Sequence, residues 1–331
     1  MATAVPEKLR PFVPEVEWAM IADDIEAIER LKAEHDAVIL AHNYMTPDIF
    51  HGVADIAGDS LALAREAQNV TASTIVLAGV HFMAETAKLL NPTKRVLLPD
   101  LRSGCSLAAS ITPEDVLELR REHPNAPVVT YVNTSAAVKA VSDVTCTSGN
   151  AVMIIEELAR ELGIDEVIMI PDEYLAANVA AQTGVRLISH PGRCEVHERF
   201  TAADIEEIRA DHPGVVVLSH PECPPEVVEA SDFSGSTAKM SQFVEDNNPP
   251  LLALITECSM SDNIAADHPD LEFVRPCNLC PHMKRNTLAS IRESLEKGQH
   301  EVTVDPELAE PARRAIERML EIGDRVRARE A

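Results

Sequence analysis

Short apolar runs alternate with amphipathic stretches along the whole chain, and this pattern predicts strands that alternate with helices. Three of the runs begin with aliphatic residues and end in polar ones, at Val38–Tyr44, Val128–Thr134 and Val215–Pro221. Further strands are predicted at Thr74–Gly79, Glu166–Pro171 and Leu251–Thr256, and then at Arg95–Leu98, Arg186–Ser189 and Glu272–Arg275. Strands that are apolar throughout and are separated by helices favour an α/β fold with parallel sheets covered on both faces.

Helical periodicity fills the segments between these strands. Helices are predicted at Phe82–Leu90, Glu173–Gln182 and Met260–Ala266, and an amphipathic helix at Asp23–His35 precedes the first strand. Thr112 and Thr201 are each followed by acidic residues, as at a helix N-cap, and predict helices at Pro113–Glu122 and Ala202–Ala210. A charged amphipathic helix at Pro306–Arg329 is expected to pack back on the body of the protein.

The same order of features occurs three times along the chain. An aspartate follows each first strand, a hydroxyl residue follows the aspartate by five positions, and each series ends with a cysteine. These residues are Asp55, Ser60 and Cys105, then Asp143, Ser148 and Cys194, and finally Asp232, Thr237 and Cys280. The cysteines are spaced 89 and 86 residues apart, so the sequence indicates one structural unit repeated three times.

This repeat overrides the roughly two domains that a length of 331 residues would suggest. We predict a lead-in at 1–22, three αβα repeats at 23–108, 109–197 and 198–285, and C-terminal helices at 286–331. Each repeat carries a small parallel sheet, and the three are expected to stand in a pseudo-threefold arrangement around a central site.

The chain is strongly acidic, with 54 Asp and Glu against 29 Lys and Arg and a formal net charge of −25. Such a surface repels phosphate backbones and anionic lipids, so neither nucleic acid nor a membrane is an expected partner. A local pocket can still attract a small anionic substrate. No apolar run approaches the ~18 residues of a membrane span, and the start MATAVPEKLRPF lacks a signal-peptide core, so a cytoplasmic location is expected.

Cys105, Cys194 and Cys280 occupy equivalent loops that would meet at a threefold axis. Three thiolates suit a [4Fe–4S] cluster with one open iron, or zinc with an open position, and an open position favours Lewis-acid catalysis. The alternative is that these cysteines are small buried hydrophobic residues.

Four further cysteines have no equivalents in the other repeats. Cys277 forms a CxxC pair with Cys280, so it is either a fourth ligand or a redox partner, or takes no part in the metal site. Cys146, Cys223 and Cys258 lie near predicted site loops and are interpreted as non-ligands. In a cytosolic protein, free thiols and thiolate ligands are expected rather than disulfides.

Ser60, Ser148 and Thr237 stand where helical patterns begin. The N-terminus of a helix binds anions through its free N–H groups and its dipole. Three such N-termini, each with a hydroxyl, would suit a substrate that carries several carboxylates or a phosphate. The alternative is that each hydroxyl only caps its helix.

Ionisable and polar residues stand at the C-terminal ends of the three first strands, the edge where α/β folds bind ligands. The segments are His42-Asn43-Tyr44, Tyr131-Val132-Asn133 and His220-Pro221-Glu222. Histidine, tyrosine and glutamate can transfer protons, and their presence at equivalent strand ends predicts an enzyme active site.

Eight short segments make the chain resemble the quinolinate synthase family, the iron–sulfur enzymes of NAD biosynthesis. They are His42–Tyr44, Gly58–Leu61, Tyr131–Thr134, Cys146–Asn150, Pro191–His197, His220–Cys223, Gly235–Thr237 and Cys280–Lys284. They occur in order across most of the chain, and their joint occurrence is highly specific.

The resemblance implies three similar αβα domains around a central pocket and a [4Fe–4S] cluster held by Cys105, Cys194 and Cys280. It implies condensation of iminosuccinate with dihydroxyacetone phosphate to quinolinate, with an aspartate oxidase or aspartate dehydrogenase as the source of iminosuccinate. The implied substrate contacts are His42, Ser60, Tyr131, Val132, Asn133, Ser148, His220, Pro221, Glu222 and Thr237. The implied proton-transfer residues are Tyr44, Tyr131, His220 and Glu222.

Two other functions stay open on the residues alone. A zinc lyase or hydrolase would use the same three cysteines, but it would be colourless where an iron–sulfur protein is brown. A non-enzymatic iron–sulfur sensor would use four cysteine ligands, including Cys277, and would not need the segment His220–Glu222 at the same pocket.

Overall fold

Three four-stranded parallel sheets, each flanked by helices, form the framework of the protein. The computed structural model describes residues 5–330; residues 1–4 of the predicted lead-in lie outside the described residues. In every sheet the strand order is second, first, third and fourth along the chain, and all pairings are parallel. The predicted α/β class with three αβα repeats is therefore confirmed.

The first sheet follows a long N-terminal helix. Its elements are α1 Glu15–Glu34, β1 Ala37–His42, α2 Pro47–Phe50, β2 Ile56–Gly58, α3 Ser60–Asn69, β3 Thr74–Ala78, α4 His81–Leu90, β4 Arg95–Leu97 and α5 Ser106–Ala109. Helix α1 begins eight residues before the predicted Asp23, directly after Pro14. The earlier start has a packing reason, because Trp18 is buried in a cluster with Leu9 and Val13.

The second and third sheets repeat this order. The second contains α6 Pro113–Glu122, β5 Val128–Tyr131, α7 Ala136–Ala140, β6 Val144–Cys146, α8 Ala151–Leu162, β7 Glu166–Ile170, α9 Glu173–Ala180 and β8 Arg186–Ser189. The third contains α10 Ala202–Asp211, β9 Val216–Ser219, α11 Pro225–Ala230, β10 Phe233–Ser234, α12 Thr237–Asn247, β11 Leu251–Ile255, α13 Ser259–Asp267 and β12 Glu272–Val274. Two helices complete the chain, α14 Leu288–Lys297 and α15 Pro306–Glu330.

Nine of the twelve strands lie where the apolar runs predicted them, with bounds that agree within three residues. The predicted N-caps Thr112 and Thr201 are also confirmed, because each forms a capping box with an aspartate three residues later. The sequence did not predict β2, β6 and β10. These edge strands are only two or three residues long, too short to leave a hydrophobic pattern.

The repeated aspartates join these edge strands to the first strand of each sheet. Asp55 Oδ2 accepts a hydrogen bond of 2.8 Å from the N–H of Ile39, and the N–H of Asp55 donates back to the Ile39 carbonyl at 3.0 Å. The equivalent pairs in the other repeats are Asp143 with Val128 and Asp232 with Val217. The aspartate therefore has the same structural role in each of the three repeats, which explains why it recurs at the same place in each.

Cys258 and Cys277 form a disulfide, so the expectation of free thiols or ligands is wrong for these two cysteines. Glu257 and Asn278 pair in a β-bridge next to them, and this brings the cysteine Cα atoms to 5.0 Å, within the range for a disulfide. The bond also leaves Cys277 without a thiolate to serve as a fourth ligand, in contrast to the requirement of an iron–sulfur sensor.

Helix α15 packs against α4, α7, α8 and β6. Its buried side chains Ala312, Ile316 and Met319 belong to the main hydrophobic core. Among the described residues no helix has both the length and the apolar character needed to cross a membrane.

Candidate active site

One cavity is lined by residues of all three repeats. Twelve of the residues that the sequence and the resemblance single out are in its lining: His42, Tyr44, Ser60, Cys105, Tyr131, Asn133, Ser148, Cys194, His220, Glu222, Thr237 and Cys280. These residues are up to 238 positions apart in the chain, so the three-repeat fold is what brings them together.

Val132 and Pro221 are not in the lining of this cavity. The backbone of Val132 donates to the Cys146 carbonyl, and its carbonyl accepts from the buried amine of Lys139 at 2.8 Å. The Pro221 carbonyl accepts a hydrogen bond from Asn178. Both residues thus hold the loops that carry their neighbours, and their place as substrate contacts stays a prediction.

The three cysteine loops contact one another in a ring. Ser106, next to Cys105, donates to the carbonyl of Arg193 at 3.2 Å and accepts from the N–H of Glu195 at 3.1 Å. Glu195 also pairs with His282 at 2.9 Å. The third contact is between the first and third loops. The backbone at Gly104 approaches His282, since a carbon atom added at Gly104 would lie 3.5 Å from Nδ1 of the His282 imidazole. Each cysteine loop therefore touches the other two.

Each of the three cysteine sulfurs lies at the start of a helical turn. The backbone N–H groups two and three positions further on favour the ionised form of the sulfur: Leu107 and Ala108 for Cys105, Val196 and His197 for Cys194, and His282 and Met283 for Cys280. Burial raises the pKa of all three thiols, to about 12 for Cys105, while the N–H groups oppose this rise. Such thiols ionise only when a metal takes the place of the proton.

The donor set fits a [4Fe–4S] cluster with one open iron. It offers three sulfurs in one cavity, each with backbone N–H groups of the kind that stabilise and tune cluster sulfur ligands. Cys146 and Cys223 are buried and outside the lining, in agreement with their interpretation as non-ligands.

Glu222, in the third repeat, is bonded by three side chains of the second repeat. Its Oε1 accepts from the Tyr131 hydroxyl at 2.6 Å and the Asn133 amide at 3.3 Å, and its Oε2 lies 2.7 Å from Nδ1 of His197. Burial by itself would raise the pKa of Glu222, but the interactions with His220, His197 and Tyr131 outweigh it and lower the pKa below its usual range. Glu222 is therefore an ionised carboxylate, although its side chain is only 3% exposed.

His42 and His220 have the same local geometry. In each, Nδ1 accepts the backbone N–H two residues later, from Tyr44 at 3.1 Å and from Glu222 at 3.3 Å. Burial lowers the pKa of His42 to about 4 and of His220 to about 3, so both rings are neutral at pH 7. With Nδ1 as acceptor, the single proton resides on Nε2, which makes each ring a hydrogen-bond donor.

Tyr44 is held by the third repeat at its side-chain hydroxyl and at its main-chain carbonyl. Its hydroxyl lies 2.6 Å from Oγ1 of Thr256, and its carbonyl accepts from the Lys284 amine at 2.9 Å. Lys284 also pairs with the fully buried Glu257 at 2.8 Å. Burial, followed by the charge of Glu222, raises the pKa of Tyr44 well above its usual value, so the phenol keeps its proton.

The hydroxyls Ser60 and Thr237 are the first residues of α3 and α12, and Ser148 precedes α8 by three residues. The caps of α3 and α12 are Asp59 and Ser236, so the alternative that Ser60 and Thr237 are only N-caps is wrong. The described lining contains neither lysine nor arginine. Anionic groups in this cavity would therefore meet N–H groups, hydroxyls and imidazoles.

Each repeat holds the active-site loop of the next by one polar side chain. Glu85 of α4 accepts from the N–H of Ala136, which follows the Tyr131 segment, at 2.9 Å. Asn178 of α9 donates to the carbonyls of Pro221 and Cys223, both at 2.9 Å. Asn263 of α13 completes the cycle by donating to the carbonyls of Asn43 and Met45, at 3.0 and 2.8 Å. The contacts follow the order first to second, second to third, third to first.

Sequence reasoning missed two residues of this site, His197 and Thr256. His197 lies in the lining, 1% exposed, and joins Glu222 to the Cys194 sulfur, at 3.1 Å from the latter. Its signal was present, since it ends the segment Pro191–His197 and follows Cys194 by three residues. Thr256 begins a segment, Thr256–Met260, that is similar to one of the family, but a threonine at the end of an apolar strand has no local feature that assigns it a role in the site.

The chain is similar to a family of known proteins over nearly its whole length. The family model for NadA, quinolinate synthetase A protein, matches residues 26–321. A quinolinate synthase of Agrobacterium fabrum is 64% identical over 321 residues, 97% of this chain and 92% of the relative. Quinolinate synthase 1 of Mesorhizobium japonicum is 64% identical, over 95% of this chain and 96% of the relative. A quinolinate synthase of Xylella fastidiosa is 65% identical, over 94% of this chain and 91% of the relative.

Proposed function

Because the chain belongs to the quinolinate synthetase A family, we propose that it condenses iminosuccinate with dihydroxyacetone phosphate. The products are quinolinate, one phosphate and two waters. The family uses a [4Fe–4S] cluster, and in this chain Cys105, Cys194 and Cys280 would hold it. The observation that carries the proposal is the meeting, in one cavity, of these cysteines with the hydroxyls of Ser60, Ser148 and Thr237 and with Glu222.

The bound cluster supplies a Lewis-acidic iron with an open position. Substrate binding falls to the helix N-termini and the neutral imidazoles. Ser60, Ser148 and Thr237 donate to carboxylate and phosphate oxygens, and His42 and His220 donate from Nε2. This arrangement holds a polyanionic substrate pair without a lysine or arginine in the described lining.

Proton transfer falls to Glu222 and the two tyrosines. Glu222 is ionised and buried, so it can remove a proton from carbon as the ring closes and loses water. Tyr131 is bonded to Glu222 and can return the proton, while Tyr44, whose hydroxyl lies 2.6 Å from Oγ1 of Thr256, serves as a second donor or acceptor. Asn133, also bonded to Glu222, orients its oxygen.

The cellular setting follows from this reaction. Iminosuccinate hydrolyses readily because it is an imine, so an aspartate oxidase or an aspartate dehydrogenase must supply it nearby. The acidic surface and the family assignment favour the cytoplasm as the location.

A zinc lyase or hydrolase is the second candidate, and one observation favours it. Ligand atoms of Cys194, His197 and Glu222 lie within 4.8 Å of one another, and thiolate, imidazole and carboxylate are all zinc ligands. This set uses one of the three repeat cysteines, whereas the cluster uses all three.

Anaerobic purification followed by iron and sulfide assay separates the two candidates. We expect a brown protein with about four iron and four sulfide per chain that forms quinolinate from the two substrates. A colourless protein with one zinc per chain and no quinolinate would contradict the proposal and support the zinc enzyme.

A further inference from the structure

The charged side chains of the cavity lining disfavour the substrates of the proposed reaction. Among the described residues, the lining contains three acidic side chains, Asp59, Glu195 and Glu222, and neither lysine nor arginine. Iminosuccinate carries carboxylates and dihydroxyacetone phosphate carries a phosphate, so negative charge in the lining repels both. The helix N-termini offset part of this repulsion, since each carries roughly half a positive charge. A full positive charge close behind the lining would favour binding further.

Lys139, on α7, lies one layer of residues behind the lining and is 0% exposed. Its Nζ donates to the carbonyls of Val132, at 2.8 Å, and of Thr134. These two residues flank Asn133, which is in the lining. The same Nζ lies over the ring of Phe82, another lining residue, at 5.5 Å from the ring centroid. The amine therefore lies against parts of the cavity wall from both the first and the second repeat.

The positive charge of Lys139 has no ion-pair partner within the part of the chain that the structure describes. Its hydrogen bonds go to main-chain carbonyls. In contrast, the amine of Lys284 pairs with Glu257 at 2.8 Å. Burial lowers the pKa of Lys139 to about 8, and the charges of Glu85 and Cys105 oppose this fall, so the amine is protonated at pH 7.

We propose that Lys139 is an electrostatic residue for substrate binding, whose buried ammonium attracts the carboxylate and phosphate groups of the substrates into the cavity. The inference rests on the proposed function. A buried charge is costly unless an opposite charge compensates it, and the carbonyl partners of Lys139 supply dipoles but no charge. A neutral amide has N–H groups for the same two carbonyls, so the shape of the loop alone does not explain a lysine here. Anions in the cavity supply the compensating charge.

Glu85, on α4, is the acidic residue whose charge acts most strongly on Lys139. Its Oε2 accepts from the N–H of Ala136 at 2.9 Å, and its Oε1 lies 3.8 Å from Nδ1 of His81. Glu85 thus compensates the ammonium only in part, because it does not form an ion pair with it. Removal of the charge of Lys139 and removal of the charge of Glu85 should therefore change the affinity for anions in opposite directions.

Two ligands of the same shape and different charge test the proposal, by titration of the iron-loaded holoenzyme under anaerobic conditions. Quinolinate carries two carboxylates, and 3-carbamoylpyridine-2-carboxylate has a neutral amide in place of one of them. Lys139→Gln keeps N–H groups for the loop but removes the charge. We expect it to weaken quinolinate about 100-fold and the monocarboxylate about tenfold, because the Coulomb energy is proportional to the charge of the ligand.

Glu85→Gln keeps an oxygen to accept from Ala136 and should have the opposite effect. We expect it to strengthen quinolinate binding about tenfold and that of the monocarboxylate about threefold. The matched control is Lys88→Gln, also on α4, because it changes the net charge of the protein equally and its amine pairs with Glu301. Both affinities should be unchanged in the Lys88 variant.

Two results would overturn the proposal: wild-type affinities in Lys139→Gln, or equal losses for the two ligands, which would show that the lysine only shapes the loop. Should Lys139→Gln fail to load iron, Glu85→Gln decides the matter. Tighter binding, with the larger gain for quinolinate, supports the proposal, and unchanged or weaker binding contradicts it. A wild-type holoenzyme that neither binds nor forms quinolinate would instead contradict the proposed function, so the two failures are distinct.

Discussion

The side-chain amide of Asn178, in the second repeat, donates a 2.9 Å hydrogen bond to the main-chain carbonyl of Pro221, in the third. Pro221 stands between His220 and Glu222, so this contact fixes the loop that carries both side chains to the cavity. The positions of these two proposed catalytic groups therefore depend on the contacts between repeats as well as on each sheet.

Asn178→Asp tests this dependence, because aspartate has the same shape but no N–H to donate to the two carbonyls. We expect a loss of kcat of about 10-fold or more, since misplacement of a catalytic group by even a fraction of an ångström is costly. Iron content should be retained. Asn247→Asp, on the exposed end of α12, is the control and should leave kcat unchanged. Normal turnover of the Asn178 variant would show that the loop holds its shape without this contact.

The hydroxyl groups of Ser60, Ser148 and Thr237 are expected to donate to substrate oxygens. A hydrogen bond to a charged group contributes about 1.5–3 kcal/mol, so each alanine variant should weaken a dicarboxylate inhibitor roughly ten- to a hundredfold. The measurement is inhibitor titration of cluster-loaded protein, with Ser231→Ala as a control, because among the described residues that hydroxyl bonds only to the Val227 carbonyl. Normal binding by all three variants would reduce the hydroxyls to a role in folding.

The disulfide predicts different outcomes for two cysteines only three residues apart. Cys277→Ala should keep iron and turnover, whereas Cys280→Ala should lose both, because only Cys280 lines the cavity. Closing a loop of this size contributes about 3 kcal/mol in the chain-entropy model, so Cys277→Ala should also melt at a lower temperature. Cys258→Ala should match it, and the double variant should be no less stable than either. Loss of iron from Cys277→Ala would make Cys277 a ligand.

The neutral state of His42 predicts a pH dependence of stability in the apoprotein. Its pKa is lowered to about 4 in the folded protein, so below pH 6.5 the unfolded chain binds a proton that the folded protein does not. Stability should therefore fall as the pH drops from 6.5 towards 4. Between pH 7 and pH 5 the share of His42 is about 2 kcal/mol, so His42→Gln should show a smaller decrease in urea titrations. An equal decrease in both proteins would mean that His42 titrates normally when folded.

Much of this architecture could be predicted from the sequence, for identifiable physical reasons. Strands such as β3 are almost entirely apolar because both faces of the sheet are covered. Thr112 marks the start of its helix because it forms a capping box. The threefold spacing of Cys105, Cys194 and Cys280 also pointed to a shared site.

What the sequence could not provide depends on contacts between distant segments. The partner of Cys258 is set by the bridge between Glu257 and Asn278, which no local pattern encodes. Thr256 gains its importance only from meeting Tyr44, 212 residues earlier in the chain. Such residues become visible when the three repeats are folded together.

Quinolinate formation by Glu222→Gln under anaerobic conditions tests the central claim most directly. Glutamine keeps the size of the side chain and an oxygen for Tyr131, but it cannot take a proton from carbon. With iron content and substrate binding preserved, we expect turnover to fall at least ~100-fold, while Glu226→Gln, on the exposed surface of α11, stays at the wild-type rate. Turnover of Glu222→Gln close to wild type would contradict the account and remove this carboxylate from the reaction.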